Sequence, residues 1–210
     1  ILKPELFGSK KGSSLKLLTD NSIVASGVSP EKDTYSVTVF TPKISLTGLR
    51  LEVLTDANLP FKGPGRAING NLHLSEVRVR IHPKGKPDKS ILVKLKSATA
   101  DFNQEGWGII RTIDGNPETA WGIHPEEGKP HQAVFEFEKP VGFEEGSVVN
   151  VELDQLHGRM HLIGRFRLAL TTAVSVNDAN KIIPANIATI LETPQEKRTD
   201  SHRAEVAQWL

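Results

Sequence analysis

The stretch RTIDGNPETAWGIHP, residues 111 to 125, gathers more candidate chemistry than any other part of the chain. Asp114 and Asn116 crowd a carboxylate, a side-chain amide and backbone carbonyls around an Asp-Gly turn. Oxygen-only surroundings of that kind suit a hard cation such as calcium. The same side chains can instead stabilise their own turn by bonding to nearby backbone groups. Residue order alone leaves both readings open. Trp121, which follows the turn, reads as a core plug.

A second group lies in GPGRAINGNLHLSE, residues 63 to 76. The glycines permit close backbone approach, but no Gly-Lys-Ser/Thr follows and the next element reads as a strand, so this is not a phosphate loop. Arg66, Asn69 and Asn71 supply a guanidinium fork and two amides, groups that bind hydroxyl-rich or carboxylate ligands. The alternative is that they pin the loop to its own backbone. Trp107 sits between Gly106 and Gly108, where a large ring can be exposed. If the 63–76 loop folds toward residues 102–107, then Trp107, Arg66 and Asn69 share one shallow sugar site, with an apolar ring face on the indole. His124 and His131 flank PEEGKP and could line the same loops.

His157 and His161 are four apart in HGRMH. On a helix that spacing chelates zinc, particularly with Glu after the first His. Here Gly158 follows and the flanks are strand-like. In a strand the two would share a face, too far apart to hold one ion. No Gly-x-Ser-x-Gly elbow and no thiol occur, and no carboxylate pair stands out, so nothing argues for an enzyme.

These residues need a frame, and the frame reads as strands. YSVTVF, LRLEVL, NLHLSEVRVRI, SILVKLKSATADF, AVFEFE, VVNVEL and HLIGRFRLALTTAV are separated by Gly- and Pro-rich turns without intervening helices. That pattern predicts an all-β antiparallel sandwich or jelly roll. The apolar phase slips by one at Ser75 and Glu76, which predicts a bulge or a strand entry there. HLIGRFRLALT reads as an inner strand. After residue 177 the character changes: PANIATIL predicts a short helix with Pro in its first turn, and RTDSHRAEVAQWL a second one capped by Asp200 or Ser201. The organisation expected is a binding domain over 1–177 and a helical linker over 178–210.

The 210 residues carry a net charge of +1, with 38% hydrophobic and 24% charged residues. That balance gives no electrostatic footprint for nucleic acid, and no apolar run is long enough to span a bilayer as a helix. Zero cysteines exclude disulfides and thiolate metal sites. A chain that opens at Ile1 and closes on AQWL is expected to be a piece of a longer protein.

TIDGNPETAW resembles the DG-x-x-x-T-x-W turn of discoidin-like and galactose-binding-like jelly rolls, which include many carbohydrate-binding modules. The resemblance implies a structural calcium at the turn, assisted by a glutamate from an L-S-E strand. Glu76 of Leu74–Glu76 would fill that role, completing a set of Asp114, Asn116, Thr119 and Glu76. Here L-S-E precedes the turn instead of following it, which implies a circularly permuted strand order. Over nearly its whole length the chain also resembles the middle region of planctomycete-type multidomain proteins. The matching stretches are LTDNSIVASGVSPEKDTYSV, LRLEVLTDANLP, GPGRAINGNLHLSE, ATADFNQEGW, IDGNPETAW and GRFRLALTT. In those proteins a cytochrome c-like segment precedes the region and another domain follows it. No Cys-x-x-Cys-His occurs, so this stretch binds no c-type haem. The resemblance implies a non-catalytic, exported or envelope-attached module that binds polysaccharide, or else a spacer that docks other domains of its own chain.

Overall fold

The computed structural model describes residues 1–173 and 198–209, with Ile190, Thr193 and Gln195 between them. The chain divides into a compact unit over Ile1–Val176 and a second over Asn177–Leu210. The helix expected over PANIATIL lies outside the described residues, apart from Ile190.

The first unit is all-β. One antiparallel sheet has five strands in the order β1 (Leu6–Ser9), β4 (Asp33–Thr41), β12 (Ser147–Gln155), β7 (Glu76–Pro83), β8 (Ile91–Val93). The other has six, in the order β2 (Ser14–Leu17), β3 (Ile23–Ser26), β13 (Arg165–Thr171), β5 (Leu46–Val53), β11 (His131–Val141), β9 (Leu95–Ala100). A two-stranded ribbon pairs β6 (His73–Leu74) with β10 (Trp121–Gly122).

Period-two patterning places the core. Tyr35, Val37 and Val39 of β4, Val77, Val79 and Ile81 of β7, and Val149, Val151 and Leu153 of β12 all point inward. They meet Leu49, Leu51 and Val53 of β5, Phe135 of β11 and Phe166 of β13 in one apolar cluster. Each such side chain contributes about 1.5–3 kcal/mol by leaving water. Tyr35 stacks on Phe166 at 6.0 Å and donates its hydroxyl proton to the Ile163 carbonyl. Trp121 is fully buried and donates Nε1–H to the Phe102 carbonyl, which bears out its reading as a plug.

The expected slip at Ser75 is a change of sheet. The chain leaves the β6–β10 ribbon at Leu74 and enters the five-stranded sheet at Glu76, while Ser75 N–H donates to the Asp154 carbonyl. SILVKLKSATADF likewise is two strands: β8 and β9 lie in different sheets, and Lys94 is the crossing residue. The inner position of β13, between β3 and β5, agrees with the sequence.

In the second unit, α1 (Asp200–Trp209) is capped by Thr199, not by Asp200 or Ser201. The Thr199 hydroxyl accepts His202 N–H, a donor the first helical turn leaves free, and its carbonyl accepts Arg203 N–H as the first intrahelical bond. No described helix is long and apolar enough to cross a membrane.

Candidate functional site

Four loops converge beside the β6–β10 ribbon, and hydrogen bonds from single side chains tie them together. Asn71 is buried; its Oδ1 accepts from Leu72 and Ile123 N–H, and its Nδ2 donates to Gln104 Oε1 at 3.0 Å. Gln104 Oε1 also accepts His124 N–H. Gly122 has no room for a side chain: a Cβ there would lie 2.5 Å from Gln104 Oε1 and 3.0 Å from the His73 ring. The glycine lets the ribbon press against both residues.

The centre of this end is an aromatic stack. His73 lies between Trp107 and His161, with ring centroids at 4.3 and 4.2 Å and planes tilted by 4° and 8°. His157 stands edge-on, 4.5 Å from His73 and 4.7 Å from Trp107. Those near-equal distances put His157 beside the stack, so it does not cover the outer face of the indole. Trp107 is half-buried: one face rests on His73 and part of the ring remains accessible.

HGRMH makes the stack possible by turning instead of extending. Arg159 and Met160 both have positive φ, 54° and 57°, and His161 N–H donates to the Gly158 carbonyl. Two consecutive left-handed non-glycine residues give the geometry of a type I′ turn at a cost in strain. The turn brings the two imidazoles to 6.0 Å, so the extended spacing expected from the flanking strands is wrong. Zinc is still poorly served. His73 and His161 lie in nearly parallel planes, and in-plane lone pairs on parallel rings do not converge on one ion. Among the described residues no three His, Asp or Glu side chains form a metal-ligand set.

His73 is only 5% exposed. Its Nε2 faces the Asn71 amide at 3.5 Å, and its Nδ1 has no partner among the described residues. Burial, then the neighbouring His161 and His157, lower its pKa to about 3. His157 is also lowered, first by desolvation and then by His161. At neutral pH His73 and His157 are therefore uncharged.

The other expected ligand residues fall into three places. Arg66 does not reach Trp107: Nη1 donates to Ser13 Oγ and the Val28 carbonyl, and Nη2 to the Gly27 carbonyl. The expected Trp107–Arg66–Asn69 site is therefore not assembled, because backbone carbonyls capture the guanidinium. Asn69 donates to Glu127 Oε1, which also lies 2.9 Å from His124 Nδ1, so Asn69 and His124 share one carboxylate at the loop rim. His131 is buried, with Nδ1 3.3 Å from Asp101 Oδ2 and Nε2 3.1 Å from the Glu126 carbonyl. Desolvation pulls its pKa down, but the Asp101 bond, the Glu126 carbonyl and the Asp101 charge carry it above the ordinary value.

The Asp-Gly turn folds as its residue types dictate. Asp114 Oδ1 accepts Asn116 N–H, and Asn116 Oδ1 accepts Glu118 N–H. Three oxygens surround the Thr119 hydroxyl: Asp114 Oδ2 at 2.8 Å, the Asn116 carbonyl at 2.9 Å and the Arg111 carbonyl at 3.3 Å. The hydroxyl has one proton to give, so it satisfies only one of the three at a time. Glu76 comes to the same place from the start of β7. Its Oε1 is buried without a partner among the described residues, and its pKa is raised, first by desolvation and then by the Asp114 carboxylate.

No protein-family model matches the chain, and no curated protein or solved structure matches it.

Proposed function

We propose that the chain is a non-catalytic carbohydrate-binding module on a jelly roll of the galactose-binding-like kind. It would belong to a larger exported or envelope protein and bring that protein to polysaccharide. The strand order supports the jelly roll: β12 lies between β4 and β7 while β11 lies between β5 and β9, the nesting of a strand pair wound round an earlier pair. The observation that carries the function is Trp107, a half-buried indole backed by a flat, uncharged His73 and flanked by His157, with the polar Gln104 beside it. A sugar's apolar face stacks on such a ring while its hydroxyls bond to nearby imidazoles and amides.

The Asp114, Asn116, Thr119 and Glu76 group fits a structural calcium. Two carboxylates that repel each other, a buried carboxylate oxygen and several carbonyls are an oxygen-donor set for a hard cation. The rival reading, a docking spacer within its own chain, rests on Phe61 and Ile68, residues 74% and 90% exposed. A glycan array probed with and without chelator separates the two. The binding reading expects a polysaccharide hit that Trp107→Ala abolishes with the fold intact. A hit that survives Trp107→Ala, or no hit at all, overturns it.

A further inference from the structure

Arg66 belongs to a different place from Trp107, and that place has the form of a site. A groove of about 620 Å³ opens on the outer face of the six-stranded sheet at its β2–β3 margin. Lys16 and Val24, cross-strand partners on that face, form part of its floor. Asn58, Leu59 and Pro60 form one wall, and Arg66 with Ser29 closes the end.

The polar groups in this groove are unevenly committed. Asp56, its one carboxylate, accepts from Asn58 N–H and Nδ2 through Oδ1 and faces Arg165 through Oδ2 at 3.6 Å. Its charge is therefore balanced from outside the groove. The Lys16 side chain has no hydrogen bond or ion pair among the described residues. Arg66 spends three N–H groups on Ser13, Gly27 and Val28, which leaves Nε–H and one Nη2–H on a guanidinium already fixed in place. The Ser29 hydroxyl oxygen is buried without a partner among the described residues. With the Asn58 amide held at Nδ2, its Oδ1 is available to accept from a hydroxyl.

Two cations in no direct ion pair among the described residues, Arg66 reaching Asp33 only through the Ser13 hydroxyl, and an amide oxygen over a strip made by Val24, Leu59 and Pro60 describe a ligand with one anionic group, several hydroxyls and an apolar face. Ordering of the guanidinium in advance lowers the cost of binding such a ligand. We propose that this groove is a second ligand site, taking a short carboxylate-bearing oligosaccharide, with Arg66 and Lys16 on the carboxylate. An extended peptide fits less well. It would seek unpaired strand backbone, which the outer edge of β2 offers and the Lys16–Val24 floor, where β2 and β3 are hydrogen-bonded to each other, does not. The site goes beyond the Trp107 reading and does not depend on it.

The test is an amide-resolved NMR titration of the whole chain with trigalacturonate, maltotriose and triglutamate. It is run on the wild type, Lys16→Glu and Trp107→Ala. The Lys16 side chain is exposed and makes no bond among the described residues, so its replacement leaves the fold alone, whereas Arg66 also holds a loop. Trigalacturonate is expected to shift the amides of residues 24–27 and 56–59 and to bind more weakly in high salt. Lys16→Glu should lose about tenfold in affinity or more, the scale of one displaced charge contact, and Trp107→Ala should match the wild type. Maltotriose should leave these amides unmoved. No response to trigalacturonate there, equal affinity in Lys16→Glu, or triglutamate binding as tightly would each overturn the proposal. Dependence on Trp107 alone would also overturn it, by returning the ligand to the loop end.

Discussion

His73 and His131 are buried to nearly the same depth, 5% and 7% exposed, and their surroundings are opposite in kind. Rings enclose His73: Trp107 on one face, His161 on the other, His157 at the edge. None of these offers a carboxylate or carbonyl to a second proton. His131 presents each ring nitrogen to an oxygen, one from Asp101 and one from Glu126. Desolvation opposes charge in both places, so depth does not decide the outcome; the atoms at the ring nitrogens do. The same residue type serves as an uncharged stacking surface in one loop cluster and as half of an ion pair a few residues from another.

The largest way to break this comparison is to remove the ring from the stack. His73→Ala leaves a gap between Trp107 and His161 and should cost about 2–5 kcal/mol in urea unfolding, the range for large-to-small core changes. His73→Phe keeps a flat ring and should recover most of it. The pH dependence separates the two roles further. A folded pKa near 3 lies below the ordinary 6.5, so the unfolded chain takes a proton that the native stack refuses. Stability is then fully present above pH 6.5 and falls as the pH drops toward 3, by up to about 1.4 kcal/mol per pH unit for this one proton. That component of the slope should be missing in His73→Phe.

Next in size is the carboxylate pair at the Asp-Gly turn, where partners oppose charge instead of balancing it. A cation bound only by the native state, at a hundred times its Kd, adds about 2.7 kcal/mol. The wild type should therefore melt higher as calcium is added, and Glu76→Gln should not respond. In chelator the same variant should be slightly more stable than wild type, since it removes the repulsion from Asp114. A wild-type melting temperature that ignores both calcium and chelator contradicts the cation.

Asp101→Asn tests the other histidine. The raised His131 pKa means its contribution is present below pH 6.5 and lost as pH rises through the folded value. The Asp101 pKa is lowered, with desolvation opposing and the His131 bond prevailing, so its share is present above 3.8 and lost in acid. The pair is strongest between those limits, and the substitution should cost about 1–3 kcal/mol near pH 5.5 and less at pH 9. Smallest of all, deletion of residues 199–210 should leave the unfolding of the β unit cooperative and its Tm within about 2 °C.

The sequence was most legible where structure is periodic. Alternation identified β4, β5, β7, β11, β12 and β13, and Trp121 was read correctly as core. Alternation says nothing of which sheet a strand joins, so the crossings at Ser75 and Lys94 read as a slip and as one long strand. The strands β1, β2 and β3 have four residues each, too few for a period to show among turn residues. Thr199 was a readable cap, one position before the residues chosen, since its hydroxyl meets the N–H three residues on. The site was less accessible. The ring partners of His73 come from positions 107, 157 and 161, and only the fold brings them together. The one local signal was the four-residue spacing of HGRMH, which needed a positive-φ turn at Arg159 and Met160 that neither residue type advertises. Arg66 was chosen for its chemistry, and the carbonyls of Gly27 and Val28, distant in sequence, decided where that chemistry points.

The central claim is that an uncharged His73 ring, not a charged group, backs the indole of Trp107. The most direct measurement is a long-range ¹H–¹⁵N NMR titration of the imidazoles between pH 4 and 9. The His73 nitrogens should keep the shifts of a neutral ring down to about pH 4, while His131 should remain doubly protonated above the ordinary imidazole pKa. Both rings titrating together near 6.5 would contradict the account.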